Sequence, residues 1–236
     1  VSVAMMKFWF YQQYVYTGYL MLFGTILTAL STSRCMTHEK EQASLALLHT
    51  TTLSSWRIVI GKLMANCRYV AVLVGLLMVP ALTGSCATCV SIPQRIRAAI
   101  GSEPLRMLFV VLAIATAGSV GLFWSLMLKR TASAMSAAVL SLSTLYAAPL
   151  VVQELFQRFT RVPMERLEWI AYISPFGALP SLGGGRGDTA FGDDIQGVTG
   201  GWWLLTLALY LGLSVILIAV STHLFERVSR RQENRA

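Results

Sequence analysis

The sequence predicts an all-α fold, a polytopic bundle of transmembrane helices, and three observations carry that prediction. Only 13% of the 236 residues are charged, against roughly a quarter in an average soluble domain, so the chain lacks the polar surface needed to face water on every side. Its composition is 55% hydrophobic, with a mean hydropathy of +0.61. The apolar residues gather into long runs, each near the ~20 residues that cross about 30 Å of hydrocarbon. None of the runs alternates with period two as outer-membrane strands do, which favours helices over a barrel.

Five spans follow, at residues 14–33, 63–84, 105–128, 132–152 and 202–224, in a single transmembrane domain covering 1–236. The net charge of +8 does not point to nucleic acid, because the basic residues stand at span ends. Arg34, Lys40, Arg57, Lys62, Lys129, Arg130 and the Arg-rich tail fall on one side. Lys7, Arg95, Arg97, Arg106, Arg158, Arg161, Arg166 and Arg186 fall on the other, with most of the acids. The excess has one sign and places the 34–62 connection, the 129–130 link and the C-terminus in the cytoplasm. The first span then starts outside, so a further helix is expected upstream of Val1. No cleavable signal peptide is recognisable, since Lys7 is followed by aromatics and Gln.

Residues 1–13 mix aromatics with Lys7, Gln12 and Gln13, as an interfacial lead-in does. The first span should end where Arg34 meets the boundary. Thr37 then reads as the N-cap of a new, polar-headed helix over 37–54, with Glu39 and Glu41 in its first turns. Glu41, Leu45, Leu48 and Thr52 share one face of that helix. An amphipathic helix lying on the lipid surface and a docking helix both fit the pattern. Arg68, a turn or two inside the second span, reads as an arginine snorkelling to the headgroups rather than lining a path. Pro80 should bend or end that span.

In the outer loop 85–104, Cys86 and Cys89 form a CxxC pair; a disulfide and two incidental small residues both fit. Small residues recur every four positions at Ala113, Ala117 and Gly121, at Ser133, Ala137 and Ser141, and at Ala208 and Gly212. Such spacing lets helix backbones approach closely in lipid, so a packed bundle is expected rather than a wide pore. None of the eleven acids lies inside a span, which weighs against an ion-coupled carrier. The outer region 153–200 holds a short amphipathic stretch at 164–173, a stop at Ser174-Pro175, and a Gly-rich connector at 183–187 that lacks the features of a phosphate loop. His38, His49 and His223 are scattered singly, and His38-Glu39 only begins like a zinc-protease motif. No nucleotide-binding motif is present.

Glu39-Lys40-Glu41-Gln42, then Leu45 to Leu48, Thr52-Leu53-Ser54, Trp56 and Ile60-Gly61-Lys62 together resemble the type-2 ABC transporter permease family. That family shows a Glu-x-Glu start, a Gly-Thr, a Leu-rich turn, a Thr-Pro-Leu-Ser-like break and a Gly-Lys. Here Ala43-Ser44 stand for the Gly-Thr and Thr52 for the proline. Ile173-Ser174-Pro175-Phe176 is similar to the family's outer re-entrant region. The resemblance implies a six-span permease of a bacterial cytoplasmic (inner) membrane exporter. Residues 37–54 would form its coupling segment, with Glu39, Lys40, Glu41, Gln42, Leu45 and Leu48 contacting a cytoplasmic ABC ATPase. A second permease copy or homologous half would complete the transporter in the lipid bilayer. ATP and Mg would bind the partner, so no cofactor and no catalysis are expected in this chain. Two other readings are a non-transporting membrane scaffold driven by an ATPase, and a thiol-redox enzyme using Cys86 and Cys89.

The topology is checked by a single cysteine, Ser44→Cys, in an otherwise cysteine-free chain. A membrane-impermeant maleimide is expected to label it in inside-out vesicles and not in intact cells; the reverse pattern would end the coupling-segment reading.

Overall fold

A computed structural model describes residues 3–41, 55–87, 103–160, 170, 173–178 and 202–233. Its elements are α1 (Val3–Glu41), α2 (Ser55–Ala87), α3 (Glu103–Met127), α4 (Thr131–Thr160), the one-turn α5 (Pro175–Ala178) and α6 (Trp202–Glu233). Five of them are long and apolar enough to cross a membrane, and the described residues contain no strand. The protein is a polytopic helical membrane bundle.

α1 differs most from its sequence-based boundary. It runs unbroken for 39 residues, about 58 Å at ~1.5 Å per residue, so Thr37 is not the N-cap of a new helix. The reason lies in what a threonine hydroxyl can do. It can cap the amides ahead of it or donate to a carbonyl one turn behind, and the sequence does not choose. Here Thr28 donates to Gly24 O (2.7 Å), Thr32 to Thr28 O (2.8 Å) and Thr37 to Ser33 O (2.8 Å). Each hydroxyl is satisfied inside its own helix, which suits a medium without water. Residues 37–41 therefore form the last turn of α1, and the rest of the 37–54 segment lies outside the described residues.

Other helices also extend beyond the predicted spans. α2 begins at Ser55 and continues past Pro80 to Ala87, so that proline does not end it, and Cys86 falls in its last turn. α4 continues to Thr160 with Pro149 inside it; the added turns carry an Arg158–Glu154 pair at 3.1 Å. α6 carries the Arg-rich sequence on as helix to Glu233.

The chain groups into two compact units. One comprises residues 23–73, 113–143 and 210–236, and α3 is its centre: Ala113, Thr116, Ala117, Val120, Gly121, Leu122, Ser125 and Leu126 are buried. α1 lies against it so closely that a Cβ on Gly121 would overlap Thr32 Oγ1 and stand 2.7 Å from Ala29 O. A Cβ on Gly118 would meet Cys67 Sγ at 2.8 Å and Leu63 Cδ1 at 2.9 Å, so α2 closes on the same helix. α6 joins through Thr116 Oγ1 and Ser214 Oγ, 2.9 Å apart. α4 joins through Trp124 Nε1–H donating to Ser141 Oγ at 3.0 Å, with Ala134, Ala138 and Leu142 buried. Helices in lipid gain nothing from leaving water, so close contact and interhelical hydrogen bonds hold them together.

The other unit comprises residues 1–22, 74–112 and 144–209. Its described core includes Thr17, Leu20, Met21, Val74, Phe109, Val110, Tyr146, Ile170, Ser174 and Thr206. Ser174 Oγ–H donates to Tyr146 O at 2.9 Å, and the Tyr146 and Phe176 rings meet edge to face, centroids 5.7 Å apart. Pro149 lacks the amide that would bond to Leu145 O one turn back, and the Ser174 bond falls on the next carbonyl, Tyr146 O, not on that one.

Not every small-residue stripe packs within the chain. Ala208 is exposed, and a Cβ on Gly212 would meet nothing within 4 Å. Gly121→Ala is expected to destabilise the protein by about 1–3 kcal/mol, because a backbone carbonyl cannot move aside as a side chain can. Gly212→Ala should be neutral or stabilising by up to about 1 kcal/mol through helix propensity. SDS titration of the detergent-purified protein measures both; equal effects would mean that the α1–α3 approach is not tight.

Candidate functional site

The C-terminal end of a helix presents carbonyls with no partner in the helix and the negative end of its dipole. At the end of α3 these carbonyls meet the last turn of α1. Lys40 Nζ donates to Ser125 O at 2.8 Å, Leu126 O at 2.6 Å and, more weakly, Leu128 O at 3.4 Å. Ser125 Oγ accepts the backbone amides of Met36 (3.2 Å) and Thr37 (3.0 Å). One turn of α1 is thus fastened to the end of α3 through five hydrogen bonds.

Glu39 sits at the unfavourable, negative end of α1. It forms an ion pair with Lys62 of α2, and both side chains are partly shielded, at 24% and 18% exposed. Lys62 also lies 3.5 Å from Met36 Sδ. Asn66, one turn further along α2, donates to Lys62 O at 3.1 Å and accepts from Ser31 Oγ at 3.0 Å. Beneath these polar contacts lies an apolar cluster of Met36, Ile58, Val59, Leu122, Leu126 and Phe225. Four helices, α1, α2, α3 and α6, therefore converge under residues 36–40.

The link from α3 to α4 is short. Leu128 N–H still bonds to Trp124 O at 3.0 Å, and Ala134 N–H already bonds to Arg130 O at 3.1 Å. Ser133 Oγ adds a second bond to Arg130 O at 2.8 Å. The end of α3 and the start of α4 are held on both sides of Lys129.

Of the residues singled out in the sequence, Glu39 and Lys40 are found in these internal contacts and Glu41 closes α1. Gln42, Leu45, Leu48 and Cys89 lie outside the described residues. Ala113, Ala117 and Gly121 line the buried face of α3, whereas Ala208 and Gly212 have the open surroundings given above. Ser174 and Phe176 dock on α4, with Pro175 between them buried. Sequence reasoning missed Ser125, Gly118 and Pro149, and it took Lys62 as a cytoplasmic-side charge and part of a motif, not as a partner of Glu39. The available signal was a serine and a glycine on the face already marked by Ala117 and Gly121.

A chain with five such helices, no strand among its described residues and this tightly joined end is a multi-pass membrane protein. A family model described as ABC-2 family transporter protein matches residues 1–230. The chain belongs to that family, as the Glu39–Lys62 resemblance led one to expect, and is a membrane permease component of an ABC transporter. A comparison with curated proteins found no match.

The worth of the Glu39–Lys62 pair is accessible to a double-mutant cycle with Glu39→Gln and Lys62→Gln. Fully exposed pairs contribute roughly 0.2–1 kcal/mol; this shielded pair is expected to show a coupling of about 1–3 kcal/mol. A coupling below about 0.5 kcal/mol in SDS or thermal unfolding would reduce it to a surface contact.

Proposed function

We propose that the chain is the membrane subunit of a bacterial ABC exporter, driven by a cytoplasmic ATPase that grips the segment following Glu41. The observation that carries this is the convergence of α1, α2, α3 and α6 in one apolar cluster directly beneath residues 36–40. A displacement applied there is delivered to several spans at once, as rigid-body coupling requires. Its location inside the cell is supported by the exposed Arg34, Arg57, Lys129, Arg130 and Arg227, all on the side assigned to the cytoplasm by the positive-inside rule.

In this reading the partner ATPase binds ATP and Mg, and the permease does no chemistry. Two permease copies, or this chain and a homologous half, alternate between states in the bilayer. Export as the direction of transport rests on the resemblance to type-2 permeases. Glu39 and Lys40 have partners inside the chain, so docking falls to Glu41, Gln42, Leu45 and Leu48. A carboxylate there offers charge-assisted hydrogen bonds to Arg or Lys of the ATPase.

The experiment is co-purification of the ATPase with the tagged full-length permease. Glu41→Lys combined with Leu45→Ala is expected to lower ATPase retention by about ten-fold, roughly 1.4 kcal/mol, while membrane insertion is unchanged. Unaltered retention, or no ATPase with the native chain, would refute the docking segment.

A further inference from the structure

A lysine ammonium has three donors and no acceptor, and Lys40 directs all three at carbonyls at the end of α3. Its charge is spent on the negative end of that helix and is not offered outward to a partner. Ser125 doubles the joint, since its Oγ takes two amides from the turn of α1 that precedes Lys40. From there the chain reaches α4 within a few residues, and Arg130 O is held by Ala134 N–H and Ser133 Oγ. Residues 36–40, the end of α3 and the start of α4 are thereby tied in series by hydrogen bonds and a short covalent link.

We infer that Lys40 is a positioning residue for transport: a latch that fixes the last turn of α1 to the α3–α4 link, so that the two move as one body. The family resemblance gives Lys40 to the ATPase surface; its contacts assign it to the interior of the permease. The source of the force rests on the docking reading above, whereas the latch itself does not. Glutamine at this position loses the charge and one donor, and its reach is shorter. Arginine keeps the charge and has five donors, so it should preserve the joint.

The test uses the full-length chain with its ATPase in lipid nanodiscs, freed of its four cysteines, with spin labels at Arg34→Cys and Lys129→Cys. Both positions are exposed and not used by the latch. Pulsed electron–electron distances are recorded without nucleotide and with ATP plus vanadate. Native Lys40 and Lys40→Arg are expected to give one narrow distance that nucleotide does not change. Lys40→Gln should broaden the distribution at least two-fold and make it nucleotide-dependent, while ATP turnover stays within about two-fold of native. An equally narrow, nucleotide-independent distance in Lys40→Gln would overturn the latch. Should Lys40→Gln fail to insert, Ser125→Ala opens the same joint by removing the acceptor of the two amides; broadening supports the latch and an unchanged width overturns it. Loss of the ATPase from the native chain would sink the docking reading instead, and the nucleotide-free widths would still decide for or against the latch.

Discussion

The close approach of α1 to α3 at Gly121 is the constraint on which the joined end of this protein depends. Apolar side chains lose no contact with water when two helices meet in lipid, so association relies on how near the backbones come. With hydrogen in place of a side chain at 121, Ala29 O and Thr32 come within van der Waals reach of α3. That distance is what brings Ser125 Oγ to the amides of Met36 and Thr37, and the Lys40 ammonium to the terminal carbonyls. A methyl at 121 would hold the helices apart one turn before those bonds form. Gly118 has the same use for α2, because it leaves room for Leu63 and Cys67.

The two units solve the same problem with different chemistry. In each, a polar side chain from another element bonds to backbone carbonyls of a helix. At the end of α3, where the carbonyls lack helical donors, that side chain is Lys40. In α4 it is Ser174, from the Ile-Ser-Pro-Phe stretch, on Tyr146 O, with the Tyr146 and Phe176 rings meeting beside it. The first matters most in a medium where an unpaired backbone group costs several kcal/mol.

The class of fold was legible because composition and run length depend on the bilayer and not on details of packing. The family was legible too, from the order of short motifs between Glu39 and Lys62. Helix ends were read less well. Thr37 has the chemistry of an N-cap and the chemistry of a back-bonding helical residue, and its spacing does not choose between them; in the structure its hydroxyl bonds back to Ser33 O. Pro80 reads as a bend or stop, yet it lies within a helix here, as does Pro149, since lipid penalises leaving the helix more than it penalises one missing amide. The stripe on α3 and the stripe on α6 have the same spacing, and spacing alone cannot say which one meets a neighbour. Glu39 and Lys40 were read as charges for a partner because the sequence does not reveal that α2 and α3 stand beside them.

Thr28, Thr32 and Thr37 also shape how the bundle can move. Their hydroxyls bond within α1, with Thr28 turning its Cγ2 toward Gly118 and Thr32 bringing its Oγ1 against Gly121. The hydrogen bonds described above between α1 and the end of α3 are concentrated at Ser125, Leu126 and Leu128. A contact fastened at one end has its pivot there, so any change of angle between α1 and α3 would displace them most at the points farthest from Ser125.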